Sequence, residues 1–580
     1  MNRRRCGFVS SLMAACFLTT IGHAQIPGPN VNMVSGTKWP DGDPFLQRQN
    51  EPSLAVSTRN PLHLVGGAND YRTVDIPGLV DGEETGDAWL GLFKSFDGGR
   101  TWKSTLLPGC PEAIPQCDGA PAIKGMQAGA DPTVRAGTNG LFYYSGLAFN
   151  RGDGGASAIF VSRLIDNNNK ENGDPIAFLG TSVVHSGNAT ISLDKPSLAV
   201  DVPREDAGVC QISSGGTVQM IRAGTVYVAY TAFLGTQGSP DFRARVMAAR
   251  SLDCGQTWSR PVNISEEQRV SQSAAIAIDP RTGAVYVAWR RFMTAKQNDA
   301  IMIAKADADD FEFSDPVVVS RLVPFDQGMS GVTFRTNSYP TLAVDGDGRV
   351  YVAWADRIIA GGTARILLSV SAHGRTWSAP SGVDSSASAG HQIMPALVFA
   401  GGRLTLTYYD LRDDSTVGVF TLLNQQWIET RVAVGDLAPP NPNPLNVFNP
   451  WIMDASPPGS LTPLVRRHTI DVRVAQALPG PNPSFGASQR VTRYAFGNTA
   501  PGLPIDQFQF DPPDPAAIQK GNRAVRRRLH RRRRRAGLRN GCQGKVDLQP
   551  GALGSNRLPR HMGGQSRCAA AAHQPGNRKT

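Results

Sequence analysis

The feature that most constrains this chain is a repeat. A proline opens an alternating apolar run that often closes on Asp; a glycine turn follows, then a second apolar run ending in an aromatic residue. The first copies are Pro52-Ser-Leu-Ala-Val56, Pro132-Thr-Val with Gly140-Leu-Phe-Tyr-Tyr144, and Pro196-Ser-Leu-Ala-Val-Asp201 with Gly224-Thr-Val-Tyr-Val-Ala-Tyr230. Three more follow: Ala275-Ile-Ala-Ile-Asp279 with Ala284-Val-Tyr-Val-Ala-Trp289, Pro340-Thr-Leu-Ala-Val-Asp345 with Val350-Tyr-Val-Ala-Trp354, and Pro395-Ala-Leu-Val-Phe399 with Leu404-Thr-Leu-Thr-Tyr408. Alternation with period two, β-branched enrichment and a turn residue predict a β-hairpin for each copy. A proline at the first strand position costs no ladder hydrogen bond. Glycine (61) and proline (42) are abundant, as many turns between short strands require. With 41% hydrophobic and 18% charged residues, the chain is not a wholly disordered one.

A second unit lies between the hairpins. Ser95-Phe-Asp97-Gly-Gly99-Arg-Thr101-Trp102 and Ser251-Leu-Asp253-Cys-Gly255-Gln-Thr257-Trp258 both match Ser-x-Asp-x-Gly-x-Thr-Trp. Ala372-His-Gly374-Arg-Thr376-Trp377 keeps the second half, with Ala372 where Asp is expected. This pattern resembles the Asp-box (BNR) repeat of the sialidase-like β-propeller superfamily, and the resemblance covers about residues 45–500. The chemistry of the motif is structural: a short Asp accepts hydrogen bonds from its own turn, and Gly adopts a backbone conformation closed to other residues. The Trp is free to pack between blades.

Pairing each hairpin with the unit that follows predicts an all-β, sialidase-like propeller of six four-stranded antiparallel blades. A seventh is allowed if the C-terminal text is altered. Radial repetition of this kind manages sheet edges. Blades two and four lack the turn motif; Val161–Asp166 and Ile301–Lys305 are expected as their third strands. Blade six is expected to use 469–473 and 490–494 after a Pro-rich insertion, 436–464, which reads as loop.

The net charge of +11 is unevenly spread. From Lys520 to Thr580 there are 17 Lys+Arg against one acid, Asp547; residues 1–519 hold 42 Lys+Arg against 47 Asp+Glu. The body is therefore mildly acidic, and no nucleic-acid partner is expected for it. Arg3-Arg4-Arg5, an apolar stretch from Gly7 to Ile21 and the exit Gly22-His23-Ala24 predict a signal peptide, 1–24. Residues 25–44 form an N-terminal extension, 45–510 the propeller and 511–580 a disordered basic tail. No later stretch approaches the ~20 apolar residues of a membrane span, so a secreted or periplasmic protein is expected. Met13-Ala14-Ala15-Cys16 is a weaker lipoprotein-like alternative. Export places Cys110, Cys117, Cys210 and Cys254 in an oxidising compartment, with pairings 110–117 and 210–254. No His or Cys cluster suggests a metal, and nothing implies a cofactor.

The start of strand one and the loop after strand two share one end of a blade, opposite the Asp turns. That end carries Asp70-Tyr-Arg72, Asp241-Phe-Arg243, Arg290-Arg291, Asp356-Arg357 and Asp410-Leu-Arg412. Arg72, Arg243, Arg290, Arg357 and Arg412, with Asp70, Asp356 and Asp410, are the ligand-binding candidates; convergent guanidinium groups suit a carboxylate. The alternative is that each Asp–Arg set is a local ion pair. The resemblance to sialidases implies three Arg, an Asp acid and a Tyr nucleophile. Arg72 matches the second Arg, and Arg357 or Arg365 the third. Asp75, Asp81, Glu83, Glu84 and Asp87 are the acids offered by the loop after Arg72, with none singled out. Asn50-Glu51-Pro52 stands where the first Arg is expected, with Arg48 two residues away, and Met394-Pro395 stands where the Tyr is expected. Without that Tyr the covalent route has no starting atom. The expected function is a non-catalytic glycan- or protein-binding propeller, the alternative an exo-α-sialidase-like hydrolase with a divergent site, and a third an envelope scaffold. The tail beyond about 512 changes abruptly to Arg, Gly, Ala, Gln and Pro, which reads as a frameshift product ahead of a natural disordered tail or a basic arm.

Overall fold

The computed structural model describes residues 27–31, 33–34, 49–70, 88–111, 117–150, 155–169, 174–235, 241–265, 270–293, 298–326, 336–358, 363–384, 390–410, 412, 416–423, 426–433, 464–466 and 471–492. Blade 1 comprises β1 (Gln49–Val56), β2 (Leu64–Asp70), β3 (Trp89–Ser95) and β4 (Lys103–Leu106). Blade 2 comprises β5 (Ala128–Ala136), β6 (Leu141–Phe149), β7 (Ser157–Asp166) and β8 (Ile176–Ser186). Blade 3 starts with β9 (Ile191–Val200), is interrupted by the hairpin β10 (Val209–Ser214) and β11 (Thr217–Arg222), and resumes with β12 (Val226–Leu234), β13 (Arg243–Ser251) and β14 (Val262–Asn263). Blade 4 is β15 (Ser271–Ile278), β16 (Val285–Arg291), β17 (Ala300–Ala306) and β18 (Val317–Arg321); blade 5 is β19 (Thr341–Val344), β20 (Val350–Asp356), β21 (Arg365–Ser371) and β22 (Ser381–Gly382). Blade 6 opens with β23 (Gln392–Ala400) and β24 (Arg403–Asp410), and a separate sheet of β25 (Thr416–Leu423), β26 (Gln426–Ala433) and β27 (Leu464–Arg466) follows before β28 (Asp471–Ala477) and β29 (Gln489–Arg490) complete it.

Six antiparallel four-stranded sheets thus make a six-bladed propeller, as the repeat predicts. The hairpin turns and the third strands of blades 2 and 4 fall where the sequence places them. Two elements escape it: the β10–β11 hairpin, and β25–β27, which flank a stretch expected to be loop. Residues 436–463 of that insertion lie outside the described residues, as do the leader and the tail.

Apolar alternation on the inner strands divides their side chains between neighbouring blades. Val134, Leu198, Ile276, Leu342 and Leu397 each turn towards the preceding blade, while Ala55, Ala199 and Ala343 turn towards the next. Hydroxyls stitch the same strands together: Ser53 Oγ accepts from Val134 N at 2.9 Å, and Thr341 Oγ1 accepts from Leu397 N at 3.0 Å. The Ser or Thr that follows proline in several repeats therefore has a bonding role as well as a β preference.

The two full turn motifs carry matching hydrogen bonds. Asp97 Oδ1 accepts from Arg100 N (3.0 Å) and Thr101 N (2.9 Å), and Asp97 Oδ2 from Thr101 Oγ1 (2.6 Å). Asp253 repeats this with Gln256 N, Thr257 N and Thr257 Oγ1 at 3.0, 2.9 and 2.6 Å. Ser95 and Ser251 each accept from the Gly N–H four residues on, at 2.9 Å. The incomplete motif uses Ser371 instead, which accepts from Gly374 N at 2.8 Å. Trp258 and Trp377 pack between their own blade and the preceding one. Both expected disulfides are present, Cys110–Cys117 and Cys210–Cys254; the second ties β10 to the Asp253 turn. No helix among the described residues is long and apolar enough to cross a membrane.

Candidate functional site

The repeat's proline is nowhere the first residue of its strand; in blade 5 Pro340 stands just ahead of β19. In blades 1, 2, 3 and 6 the strand starts earlier and the proline sits at a break in register. The reason lies in the preceding residue. Glu51, Asp131, Lys195 and Met394, which precede those prolines, have φ of 53°, 59°, 46° and 51°, and Ser273, which precedes Ala274 in blade 4, has φ of 61°. Left-handed non-glycine residues are uncommon, and a bulge of this kind re-aims a side chain and leaves one backbone group without a ladder partner. Proline, lacking an N–H, suits the next position. Five inner strands thus turn one side chain aside at the same end of the molecule, where blade 5 places Tyr339 ahead of Pro340.

These side chains meet across blades. Lys195 Nζ lies 3.0 Å from Glu51 Oε2, and Asp131 Oδ2 accepts from Lys195 N at 3.2 Å. The Glu51 and Asp131 carboxyl groups lie close enough to act on each other. Asn69 Oδ1 accepts from Asp131 N at 2.7 Å, and Asn69 Nδ2 donates to Asn50 Oδ1 at 2.8 Å. Tyr339 Oη donates to Gln272 Oε1 at 3.0 Å, bringing in blades 4 and 5. Lys195 and Glu51 keep 39% and 28% of their side chains exposed, so water reaches the charged centre.

Burial, then the Glu51 charge, hold the Asp131 carboxyl well above the usual carboxylate range, although Lys195 opposes them. Burial works against the Lys195 charge, but Glu51 and Asp131 outweigh it and raise its pKa. Burial also raises the Tyr339 phenol, on which Arg290, Asp326, Asp194 and Lys195 act. The centre therefore combines the Glu51–Lys195 ion pair with a carboxyl, Asp131, and a phenol, Tyr339, whose pKa values are both raised. Such a set offers both donors and acceptors, as recognition of hydroxyl-rich or zwitterionic groups requires.

The arginines singled out from sequence are held differently. Arg290 is 1% exposed; its guanidinium reaches Asp326 through two bonds of 2.7 Å and Asp299 through one of 3.0 Å, and it lies 4.1 Å from the Phe292 ring centre. Arg412 is clamped by Asp410 and Asp384. Arg357 lies over the Phe325 ring at 4.7 Å, and burial lowers its pKa. Asp356 accepts from Trp354 Nε1, Val323 N and Ile358 N rather than from Arg357. Arg243 Nη1 donates to the Phe242 carbonyl at 2.8 Å, and Asp70 is buried at the end of β2. Arg365 donates to the Ala364 and Gly390 carbonyls. Arg72 and the acids at 75–87 lie outside the described residues. Local carboxylates thus occupy Arg290 and Arg412, as in the ion-pair alternative.

Glu51, Asp131, Lys195 and Tyr339 were not among the sequence candidates. The available signal was a polar residue before the proline of successive apolar repeats. Among the described residues no group of three His, Cys, Asp or Glu is placed to hold a metal.

The molecule is, by architecture, a six-bladed β-propeller with a polar axial centre. No protein-family model and no curated protein matches the chain. Among solved structures it is similar to a protein of unknown function from Dyadobacter fermentans, at 13% identity over 63% of this chain and 90% of that one, with a TM-score of 0.34. It is similar also to the GH93 α-L-arabinofuranosidase of Fusarium graminearum, at 12% identity over 62% and 88% with a TM-score of 0.35. A Hadza microbial sialidase gives 14% identity over 62% and 63%, with a TM-score of 0.35.

Proposed function

We propose that the chain is an exported, non-catalytic propeller that binds a glycan or protein ligand at the axial end of its blades. The observation that carries this reading is the water-reached cluster of Glu51, Asp131 and Lys195, brought together from three inner strands by their bulges. Arg243 and Arg357 belong to the same end by their place in the blades and are assigned to the rim, and Arg72 is assigned there from the sequence alone. Arg290, Asp356, Asp410 and Arg412 are supports, and Asp70 is assigned to the inner wall. The Ser-x-Asp-x-Gly-x-Thr-Trp turns are read as Asp-boxes, which fasten the opposite end. Export is supported by the two disulfides, which suit an oxidising compartment.

Hydrolysis of a glycoside is the second reading, favoured by one observation: Asp131, a carboxyl held above its usual range, stands beside Glu51, a second carboxyl paired with Lys195. Geometry weighs against it. Glycoside hydrolases leave room for substrate or water between two carboxyl groups roughly 5–9.5 Å apart, whereas here both carboxyls are taken up by Lys195, Glu51 by its Nζ at 3.0 Å and Asp131 by its backbone N–H at 3.2 Å. Asn50 and Met394 also replace the Arg and Tyr that the sialidase resemblance calls for. The secreted protein is expected to leave a fluorogenic sialoside intact and to retain sugars on a glycan array, with retention lost in Lys195→Met. Turnover abolished by Asp131→Asn would replace the binding reading with the hydrolytic one. An array empty for the native protein would remove the glycan, and unchanged retention by Lys195→Met would remove the cluster from the site.

A further inference from the structure

Among the described residues, the ring of blades has an uncovered seam between blade 6 and blade 1. From blade 1 round to blade 6, each inner strand packs on the next, β1 on β5, β5 on β9, β9 on β15, β15 on β19 and β19 on β23. Among the described residues no comparable packing joins β23 to β1. The side chains facing that gap are open on both walls. Leu54 occupies in blade 1 the position of Val134, Leu198, Ile276, Leu342 and Leu397, which are 0–8% exposed, yet Leu54 is 51% exposed. On the other wall Val398 corresponds to Ala55, Ala199 and Ala343, buried to within 8%, and is itself 52% exposed. Val56 adds a third apolar group at 46%. Trp102 follows the same rule: among the described residues it packs with Met33, Val34 and its own blade, where Trp258 and Trp377 meet a preceding blade.

We infer that this seam is the seat of a further β-element supplied by the same chain, beginning with residues 493–513. The topology directs them there. In each earlier blade the chain leaves the outer strand at the ligand end and crosses to the axis to start the next inner strand. Those crossings run from Leu106 to Ala128, Ser186 to Ile191, Asn263 to Ser271, Arg321 to Thr341 and Gly382 to Gln392, steps of 5 to 22 positions. Applied from Arg490, the same steps start a new inner strand between 495 and 512. The exit is already fixed at this edge: Val491 N donates to the Val472 carbonyl at 2.7 Å, and Asn30 Nδ2 donates to the Val491 carbonyl at 3.1 Å. Residues 493–513 carry Tyr494 with Phe496 and Phe508 with Phe510, alternating aromatics fit for an apolar wall. An apolar wall left open to water is costly.

A photo-crosslinking amino acid placed at Val398 in the full chain tests this, because an exposed side chain there is replaced without disturbing packing. The expected product is a monomer in which residue 398 is joined to a peptide within 493–513, with the same peptide captured from position 54. Crosslinks between two copies would assign the seam to self-association instead. Capture of 49–56 from position 398 would mean that blades 6 and 1 close directly on each other. Either result, or no crosslink from both positions, overturns the inference.

Discussion

Asp97 and Asp131 show two fates for one residue type. Asp97 is half-buried, and the Thr101 hydroxyl and backbone, with Ser95 and Arg100, hold its carboxyl down at about 2. Because its folded value lies below the unfolded one near ~3.9, the stabilisation is present above that pH and lost as pH falls towards 2. Native protein and Asp97→Asn are therefore expected to differ in unfolding midpoint at pH 6 and to converge near pH 2, as urea melts at the two pH values would read. For Asp131 the sign is reversed: its raised value stabilises the fold at low pH and the benefit fades as pH rises through it. Arg290 makes a stronger demand. Arg290→Met strands Asp299 and Asp326, and a buried ionic set broken on one side costs about 3–5 kcal/mol. Denaturant unfolding of that variant is expected to fall in this range, whereas a cost near zero would mean the two acids are well hydrated. Ser57, His63 and Asp166 illustrate the converse caution. All three are buried at the opposite end of the blades, and Ser57 donates to Asp166 at 2.6 Å, while His63 Nδ1 lies 3.0 Å from the same carboxylate. The serine engages the acid and not the imidazole, so the set bridges blades 1 and 2 and has no activated nucleophile.

The β10–β11 hairpin is the element most dependent on a covalent tie. One face, with Cys210, Ile212 and Ile221, joins the core between blades 2 and 3; the other exposes Val209, Val218 and Met220. The Cys210–Cys254 bridge spans 44 residues, and on the chain-entropy model such a loop contributes about 4 kcal/mol. A Cys210→Ser/Cys254→Ser protein should lose up to that amount in equilibrium unfolding, and early proteolytic cleavage is expected within 209–222. Full stability without the bridge would mean that packing alone holds the hairpin. At this scale the sequence was a good guide wherever local chemistry decides. Alternation marked the hairpins, the Asp and Gly positions marked the turns, and cysteine placement marked both bridges. It failed for β25–β27, whose surroundings are Pro-rich, and for β10–β11, hidden between two halves of one repeat. The charged centre was harder to read for a different reason. Period-two alternation assigns Glu51, Asp131 and Lys195 to a strand face, and only a left-handed bulge takes them off it.

Across the whole molecule, body and tail obey different rules. The body reads as strand and turn throughout, and the text from Lys520 onward reads as neither. We expect resequencing of the gene to find an inserted or deleted base near codons 512–520, with a restored frame that continues as alternating apolar strands. A confirmed frame would end that explanation. Protease is then expected to remove the chain beyond about Lys520 and to spare the body, since so polar a segment does not offset its ordering entropy. The account as a whole rests on one claim, that separate blades build a single axial centre from Glu51, Asp131 and Lys195. Its most direct measurement is the titration of the Asp131 carboxyl by carbon NMR in native, Glu51→Gln and Lys195→Met proteins. The account predicts a value above the usual carboxylate range in native protein, lower in Glu51→Gln and higher still in Lys195→Met, because Glu51 raises it and Lys195 lowers it. A carboxyl that titrates near 4 in all three proteins would contradict it.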